Sequence, residues 1–181
     1  MSDATKIASR VRLLLLDVDG VLTDGSIHLD DDGREVKRFN VRDGLAIRVW
    51  MKLGFGVGLV TGRAGGALQH RARELGIERV LQGVSEKAKA VTGLCADLGV
   101  DLAEVAYLGD DWPDLPAMAI VGLPMAVGDG SALVQKAAAW VSKAPGGHGA
   151  VREAIEFLIE AKGLGREAVA AAGALHSGPL G

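Results

Sequence analysis

Apolar runs with strand character alternate with amphipathic runs of helical period along most of the chain. The strand-like runs are Arg12–Leu16, Phe55–Val60, Arg79–Leu81, Val105–Leu108, Pro124–Val127 and a short Ala138–Val141. Between them the spacing predicts helices over Asp43–Leu53, Gly65–Leu75, Ser85–Leu98, Asp114–Ile120 and Ala132–Ala137, with a last one over Ala150–Ala161. Ala88, Val91, Leu94, Cys95 and Leu98 fall on one face of such a helix, as do Val151, Ile155, Leu158 and Ile159. The Leu13–Leu16 run has no polar alternation and reads as a strand covered on both faces, as in a parallel sheet. The alternation therefore predicts an α/β fold built on a doubly wound, mostly parallel, Rossmann-like sheet.

One segment breaks the rhythm. Ser26–Leu29 and Glu35–Phe39 alternate in polarity around Asp30-Asp31-Asp32-Gly33, which predicts a projecting β-hairpin. No room is left for a large cap domain, and no internal repeat is visible. The expected organisation is one domain over residues 1–181, with its core over about 11–162 and the hairpin flap over about 26–39. The Ala/Gly-rich stretch 163–181 is weakly patterned and is expected to be mobile.

Composition narrows the class. The chain has 181 residues, 49% of them hydrophobic and 24% charged, as in an ordinary soluble globular protein. Its net charge of -3 gives no reason to expect a nucleic acid or an anionic membrane as partner. The one cysteine, Cys95, has no partner for an internal disulfide and sits on the apolar side of its helix, which makes it a core filler. MSDATKIASR contains no apolar signal-like stretch, and no run is long enough to cross a bilayer, so a cytoplasmic location is expected.

In open α/β sheets, ligands bind at the carboxyl ends of the strands, and four of these ends carry chemistry. The first strand runs into Asp17-Val18-Asp19-Gly20, where two carboxylates straddle the exit from the sheet. Taken alone, this is equally a solvated Asp-Gly turn. The second strand ends in Thr61-Gly62-Arg63, which suits a phosphate or carboxylate but is also an ordinary loop start. After the third comes Ser85-Glu86-Lys87, with Ser85 a candidate N-cap and Lys87 where a bound anion would favour a cation, though beside Glu86 it is equally a solvated lysine. The fourth ends in Gly109-Asp110-Asp111 with Asp114 following, either a hard divalent-cation site or an acid-decorated helix start. Four loaded strand ends together make chance a poor account. Phosphate-loop and nucleophile-elbow motifs are absent, and His28, His70, His148 and His176 show no metal-ligand spacing.

The order DVDGV, VTGR, Lys87 and GDD resembles the four motifs of the haloacid dehalogenase superfamily, over residues from about Arg12 to Lys162. More narrowly, DVDGVLTDG, FNVRDG, Gly109–Asp114 and GGHGAVRE (Gly146–Glu153) resemble the cap-less 3-deoxy-D-manno-octulosonate 8-phosphate phosphatase family. The resemblance implies a magnesium-dependent phosphatase that acts on a sugar-acid phosphate for lipopolysaccharide synthesis, as a homotetramer whose subunits complete one another's sites. It implies Asp17 as nucleophile, Asp19 as general acid and then base, and Thr61 and Lys87 on the phosphoryl group. Magnesium would be held by Asp17, the Asp19 backbone carbonyl and Asp110, with Asp111 and Asp114 in support. Substrate contacts carry over to Asp19, Asn40, Val41, Arg42, Asp43, Gly44, Arg48, Gly62, Arg63, Arg71 and Lys87. Arg63 and Arg71, eight positions apart, are expected on nearly the same side. His148 stands where relatives often carry Arg or Lys, and the tail has little charge for reaching a neighbouring site. Two rival readings are a phosphatase for a nine-carbon keto-sugar-acid phosphate and a non-catalytic tetrameric binding module.

Overall fold

The structure, a computed structural model, describes residues 3–176. A short helix α1 (Asp3–Ala8) leads into β1 (Leu13–Leu16), and the hairpin strands β2 (His28–Leu29) and β3 (Glu35–Val36) follow. Next come α2 (Val41–Lys52), β4 (Gly56–Val60), α3 (Gly66–Leu75), β5 (Arg79–Leu81) and α4 (Lys87–Leu98). β6 (Val105–Gly109) passes through a 3-10 turn at Trp112–Asp114 into α5 (Leu115–Met118) and β7 (Leu123–Ala126). The chain continues through α6 (Ala132–Ala137), β8 (Trp140–Val141), α7 (Ala150–Ala161) and α8 (Gly165–His176).

Six strands form one parallel sheet in the order β5-β4-β1-β6-β7-β8, which is the doubly wound arrangement expected. Central β1 pairs Leu13 with Gly56 and Val105, and Leu16 with Leu59 and Leu108. Because strand side chains alternate, its four leucines divide between the two faces. Leu14 and Leu16 join Ala106 and Leu108 of β6 and Val57 and Leu59 of β4 in a layer with α2, α3, α7 and α8. Leu13 and Leu15 join Val105, Tyr107 and Val60 under α4, α5 and α6. Cys95 is buried in this second layer, as its helical position implied.

The hairpin forms, with His28 opposite Val36 and Leu29 opposite Glu35, though its paired strands are shorter than the alternation suggested. α2 begins at Val41 rather than Asp43 because Asn40 accepts a hydrogen bond from the Arg42 N–H at 2.8 Å and caps it. Ser85 is not the cap of α4, which starts at Lys87 with Glu86 at the N-cap and no side-chain cap bond. The helix expected over Asp114–Ile120 is split, with Pro113 and Pro116 in its first turns and only Leu115–Met118 α-helical.

The largest departure is at the C-terminal end. The stretch expected to be mobile is α8 as far as His176; residues 177–181 of that expectation lie outside the described residues. Alanine carries the highest helix propensity, and Leu164, Ala168, Ala171, Ala172 and Leu175 recur at helical spacing and pack into the α2 layer. Short alanine side chains give weak hydrophobic contrast, which hides this periodicity in the sequence.

One buried polar residue ties α2 to α7. Asp43 is 1% exposed, and its carboxylate accepts hydrogen bonds from the Gly149 N–H at 3.3 Å and the Arg152 N–H at 2.7 Å. Those groups are the N-cap and third residue of α7, so Asp43 serves as an N-terminal cap contributed by another helix. Asp43→Ala removes both acceptors and should destabilise the protein by about 1–3 kcal/mol. Asp43→Asn keeps one acceptor and should lose less. The check is the midpoint of chemical denaturation, and an unshifted midpoint in Asp43→Ala would rule out the capping role.

Candidate active site

The carboxyl ends of β1, β4 and β6 and the start of α4 enclose a depression of about 220 Å³. Asp17, Asp19, Thr61, Gly62, Arg63, Lys87, Asp110, Asp111 and Asp114 all line it. Asp17 follows β1 directly, and its N–H still donates to the Leu108 carbonyl at 3.0 Å, so the β1–β6 ladder fixes its backbone. The chain then turns sharply at Gly20, which has φ +93° and whose absent Cβ would lie 2.1 Å from Asp110 Oδ2. Glycine is required there on both counts. Behind this loop, a Cβ on Gly146 would lie 1.7 Å from the Gly20 carbonyl oxygen, so the GGHGA segment supports the Asp17 loop from beneath. Thr23, 3% exposed, accepts from the Gly20 and Gly25 N–H groups at 3.4 and 3.3 Å and stiffens the same turn.

Charge is concentrated at the floor. Lys87 Nζ lies 2.9 Å from Asp17 Oδ1 and 2.6 Å from Asp114 Oδ1. Burial alone would pull the lysine down, but the Asp17 and Asp114 carboxylates more than offset it and hold the ammonium above its ordinary value. Asp114 is 1% exposed and fully engaged: Oδ1 accepts from Lys87 and from the Tyr107 hydroxyl at 2.7 Å, and Oδ2 from the Asp110 and Asp111 N–H groups at 3.0 and 3.2 Å. Burial, then the Asp114 charge, pushes the Tyr107 phenol far up, so it stays a donor.

Oxygen atoms of Asp17, Asp110 and Asp114 lie within 4.8 Å of one another. Asp110 Oδ1 is buried without a hydrogen-bond partner. An orphaned carboxylate oxygen among other carboxylates fits a hard divalent cation, whose preferred ligands are oxygens. With Asp114 saturated, Asp17 and Asp110 are the side chains left to hold it. Asp111 is exposed and outside the cluster, although it lines the same depression.

Asp19 points the other way. Its carboxylate accepts from the Thr61 hydroxyl at 3.4 Å and contacts Lys37 Nζ, while Arg63 Nε lies 3.9 Å from it. Asp19 can therefore reach the metal side only through its backbone. Lys37 and Glu35, from the hairpin, were not singled out in the sequence, where they look like an ordinary alternating strand.

The expected substrate contacts separate into groups. Gly62 and Arg63 line the depression, and so does Lys87. Val41, Arg42, Gly44, Arg48 and Arg71 instead line a second depression of about 390 Å³ that includes Leu175 of α8. Asn40 caps α2 and its amide reaches the Gly147 carbonyl at 3.4 Å. Asp43 is buried and doubly hydrogen-bonded as the α7 cap, outside both depressions. Arg63 and Arg71 do not share a face: α3 begins only at Gly66, so helical spacing does not relate them. Arg63 turns to the hairpin and bonds Glu35 at 2.6 Å, whereas Arg71 bonds Glu74 at 2.8 Å over the space left by Gly44.

Three comparisons bear on this arrangement. Residues 79–155 match the haloacid dehalogenase-like hydrolase family. The chain is 43% identical over 160 residues to the 3-deoxy-D-manno-octulosonate 8-phosphate phosphatase of Yersinia pestis, covering 88% of this chain and 86% of that protein. It superposes with a TM-score of 0.91 and 35% identity on the phosphatase of that name from Moraxella catarrhalis, solved with a magnesium ion, a phosphate ion and a KDO molecule, over 94% of this chain and 98% of that one. A cobalt-bound deoxy-D-mannose-octulosonate 8-phosphate phosphatase from Haemophilus influenzae superposes with a TM-score of 0.84 at 39% identity, over 87% of this chain and 92% of that one.

The carboxylate cluster sets a pH dependence. Burial, then the Asp114 charge, pushes Asp17 up to about 6. Burial, then the Asp17 charge, pushes Asp110 up to about 8. Carboxyls raised from 3.8 favour the folded state fully below 3.8, and that contribution is lost as pH rises through about 6 and about 8. In chelator, the thermal midpoint should fall between pH 6 and 8. A divalent cation needs both groups ionised, so the stabilisation by added magnesium should grow across the same window. A midpoint in chelator that rises from pH 6 to 8 would contradict the assignment of the cluster.

Proposed function

The chain belongs to the 3-deoxy-D-manno-octulosonate 8-phosphate phosphatase family of haloacid dehalogenase-like hydrolases, and from that premise we propose how its residues release phosphate from the 8-phosphate of this sugar acid. The observation that carries the reading is the opposed placement of two carboxylates across one depression. Asp17 is clamped to Lys87 on one side, and Asp19 is held on Thr61 on the other.

Asp17 attacks phosphorus and the sugar oxygen leaves, forming an aspartyl-phosphate; a carboxylate nucleophile divides one difficult displacement into two. Lys87 keeps Asp17 ionised and oriented and donates to a phosphoryl oxygen as charge builds there. Thr61 donates a hydroxyl to the same group, and the uncapped N-terminus of α4 beside it favours an anion. Asp19, on the leaving-group side, gives a proton to the departing alkoxide and then takes one from the water that attacks the aspartyl-phosphate. Asp17, Asp110 and the Asp19 carbonyl would hold magnesium, which when bound offsets charge on the phosphoryl oxygens. Tyr107 and the backbone amides of Asp110 and Asp111 saturate Asp114, so Asp114 anchors Lys87 rather than ligating the metal.

The remaining expected contacts fit an assembly. Arg42, Arg48 and Arg71 surround the second depression, away from Asp17, so in one protomer they serve no phosphoryl chemistry. Ile27, Leu29, Val36 and Val41 expose 60%, 63%, 59% and 79% of their surface on or beside the hairpin, an apolar set suited to burial against another subunit. In a homotetramer, the arginines of one subunit would complete the sugar-acid site of the next. A cytoplasmic location suits the single free cysteine, and the sugar acid released would supply lipopolysaccharide synthesis; among the described residues no helix is long and apolar enough to cross a membrane.

Light scattering should give four times the 18.7 kDa chain mass, and a monomer at assay concentration would sink the shared-site reading. Asp17→Asn should lower phosphate release from the 8-phosphate by roughly a thousandfold or more while leaving the thermal transition intact, because an amide has no anionic oxygen to attack. Substantial residual turnover would remove Asp17 from the nucleophile's role. In the unaltered enzyme, kcat/KM for the eight-carbon substrate should exceed that for a nine-carbon keto-acid phosphate. The reverse order would favour the nine-carbon reading.

A further inference from the structure

The phosphoryl side of the site is accounted for, but the hairpin presses two side chains into its other side. Glu35 lies on β3 and Lys37 just after it, and their contacts turn both side chains toward Asp19 and Arg63. Most of the hairpin is exposed, yet the Lys37 side chain keeps only 6% of its surface and the Glu35 side chain 19%. A lysine is seldom buried without a partner, and this one has two: Asp19 Oδ1 and, at 3.3 Å, Glu35 Oε1. Arg63 Nη2 holds that same Glu35 oxygen at 2.6 Å, and Arg63 Nε lies 3.9 Å from the second Asp19 oxygen. Asp19, Lys37, Glu35 and Arg63 thus close a ring of alternating charge over the edge of the depression opposite Lys87.

We propose that Lys37 and Arg63 form a subsite for the oxygen substituents of the leaving group, and that the Glu35 carboxylate fills this subsite in the empty enzyme. The inference rests on the reading of Asp19 as the residue on the leaving-group side. Two cations converging on one carboxylate oxygen form a receptor for an electronegative oxygen, whether a substrate carboxylate or a hydroxyl. Of the four, Glu35 has no part in the proposed chemistry, and its side chain keeps 19% of its surface against 6% for Lys37, so its carboxylate is the group with a path to solvent once an incoming oxygen takes over the two cations. A leaving group that brings oxygens to both cations replaces what Glu35 provided. An aryl or short alkyl leaving group displaces Glu35 without satisfying them, or leaves it in place and gains nothing. The hairpin therefore selects by leaving unsuitable ligands facing unpaired charge.

The test compares kcat/KM for three substrates: the sugar-acid 8-phosphate, sorbitol 6-phosphate, which has hydroxyls but no carboxylate, and phenyl phosphate, which has neither. Lys37→Met should lower the ratio of the sugar-acid substrate to phenyl phosphate by about tenfold or more, the scale of a lost charge-assisted hydrogen bond. Lys37→Arg should restore part of that ratio. A loss shared by sorbitol 6-phosphate identifies hydroxyls as the ligands, and a loss confined to the sugar acid identifies its carboxylate. Equal losses on all three substrates would overturn the subsite. Glu35→Gln, which weakens the occupant and keeps its shape, should lower KM for the oxygen-rich substrates. A raised KM would show Glu35 to be part of the receptor rather than its stand-in and would also overturn it. Should the unaltered enzyme fail to hydrolyse the sugar-acid phosphate, the proposed function fails, while the ratio for sorbitol 6-phosphate against phenyl phosphate still tests Lys37.

Discussion

Asp17, Asp110 and Asp114 bring carboxylate oxygens within 4.8 Å of one another at the ends of β1 and β6. Like charges at that separation repel by about 4 kcal/mol per pair at the effective dielectric of a protein surface region. Much of the surrounding architecture exists to tolerate that repulsion. Lys87 supplies the central positive charge, the Tyr107 hydroxyl and two backbone amides donate to the Asp114 carboxylate, and burial raises Asp17 to about 6 and Asp110 to about 8, so that Asp110 readily takes up a proton when no cation is present. The parallel sheet matters here because it fixes the backbone of β1 and β6 in register from Leu13 to Leu16, so the carboxylates cannot relax apart.

The same constraint explains the tight glycine contacts. With Asp110 beneath it, the Asp17 loop has no room for a side chain at residue 20, and the loop carrying Gly146 packs directly on its backbone. That second loop leads into α7, whose N-terminus is capped by Asp43 of α2. A chain of close contacts thus links the cap under α7 to the turn that orients Asp17. The capping bonds give Asp43 a structural reason for its position that needs no ligand.

This is also why the sequence was legible in some places and opaque in others. Residues at strand ends announce themselves, because Leu13–Leu16 marks a buried strand and whatever follows it must lie at the carboxyl edge. Asp17, Thr61, Lys87 and Asp110 could be read in that way. Asp43 could not, since a carboxylate that caps a helix a hundred positions away looks the same as one that meets a ligand. Tyr107 sits inside an apolar strand and reads as core, its hydroxyl contact to Asp114 being visible only in three dimensions. Helix α8 was hidden for a different reason, because alanine supplies propensity with little hydrophobic contrast. Arg63 and Arg71 were grouped by a helical period that does not extend across the loop between them.

The site is therefore built from two parts with different mechanical character. On the proposed reading, the phosphoryl side rests on sheet ends and a helix start, fixed by backbone pairing, and rigidity serves it because an attacking oxygen has to be aligned before charge develops. The leaving-group side is partly carried by a two-residue-wide hairpin, whose pairing is confined to His28–Val36 and Leu29–Glu35. Such a ribbon is only marginally stable by itself, so what holds it over the site is the set of ionic contacts from Glu35 and Lys37 to Arg63 and Asp19. A chain without a large cap meets opposing needs by this division. In that reading, chemistry common to every phosphate ester is placed on the scaffold, and discrimination between esters on an element held by ionic contacts, which ligand charge would compete for.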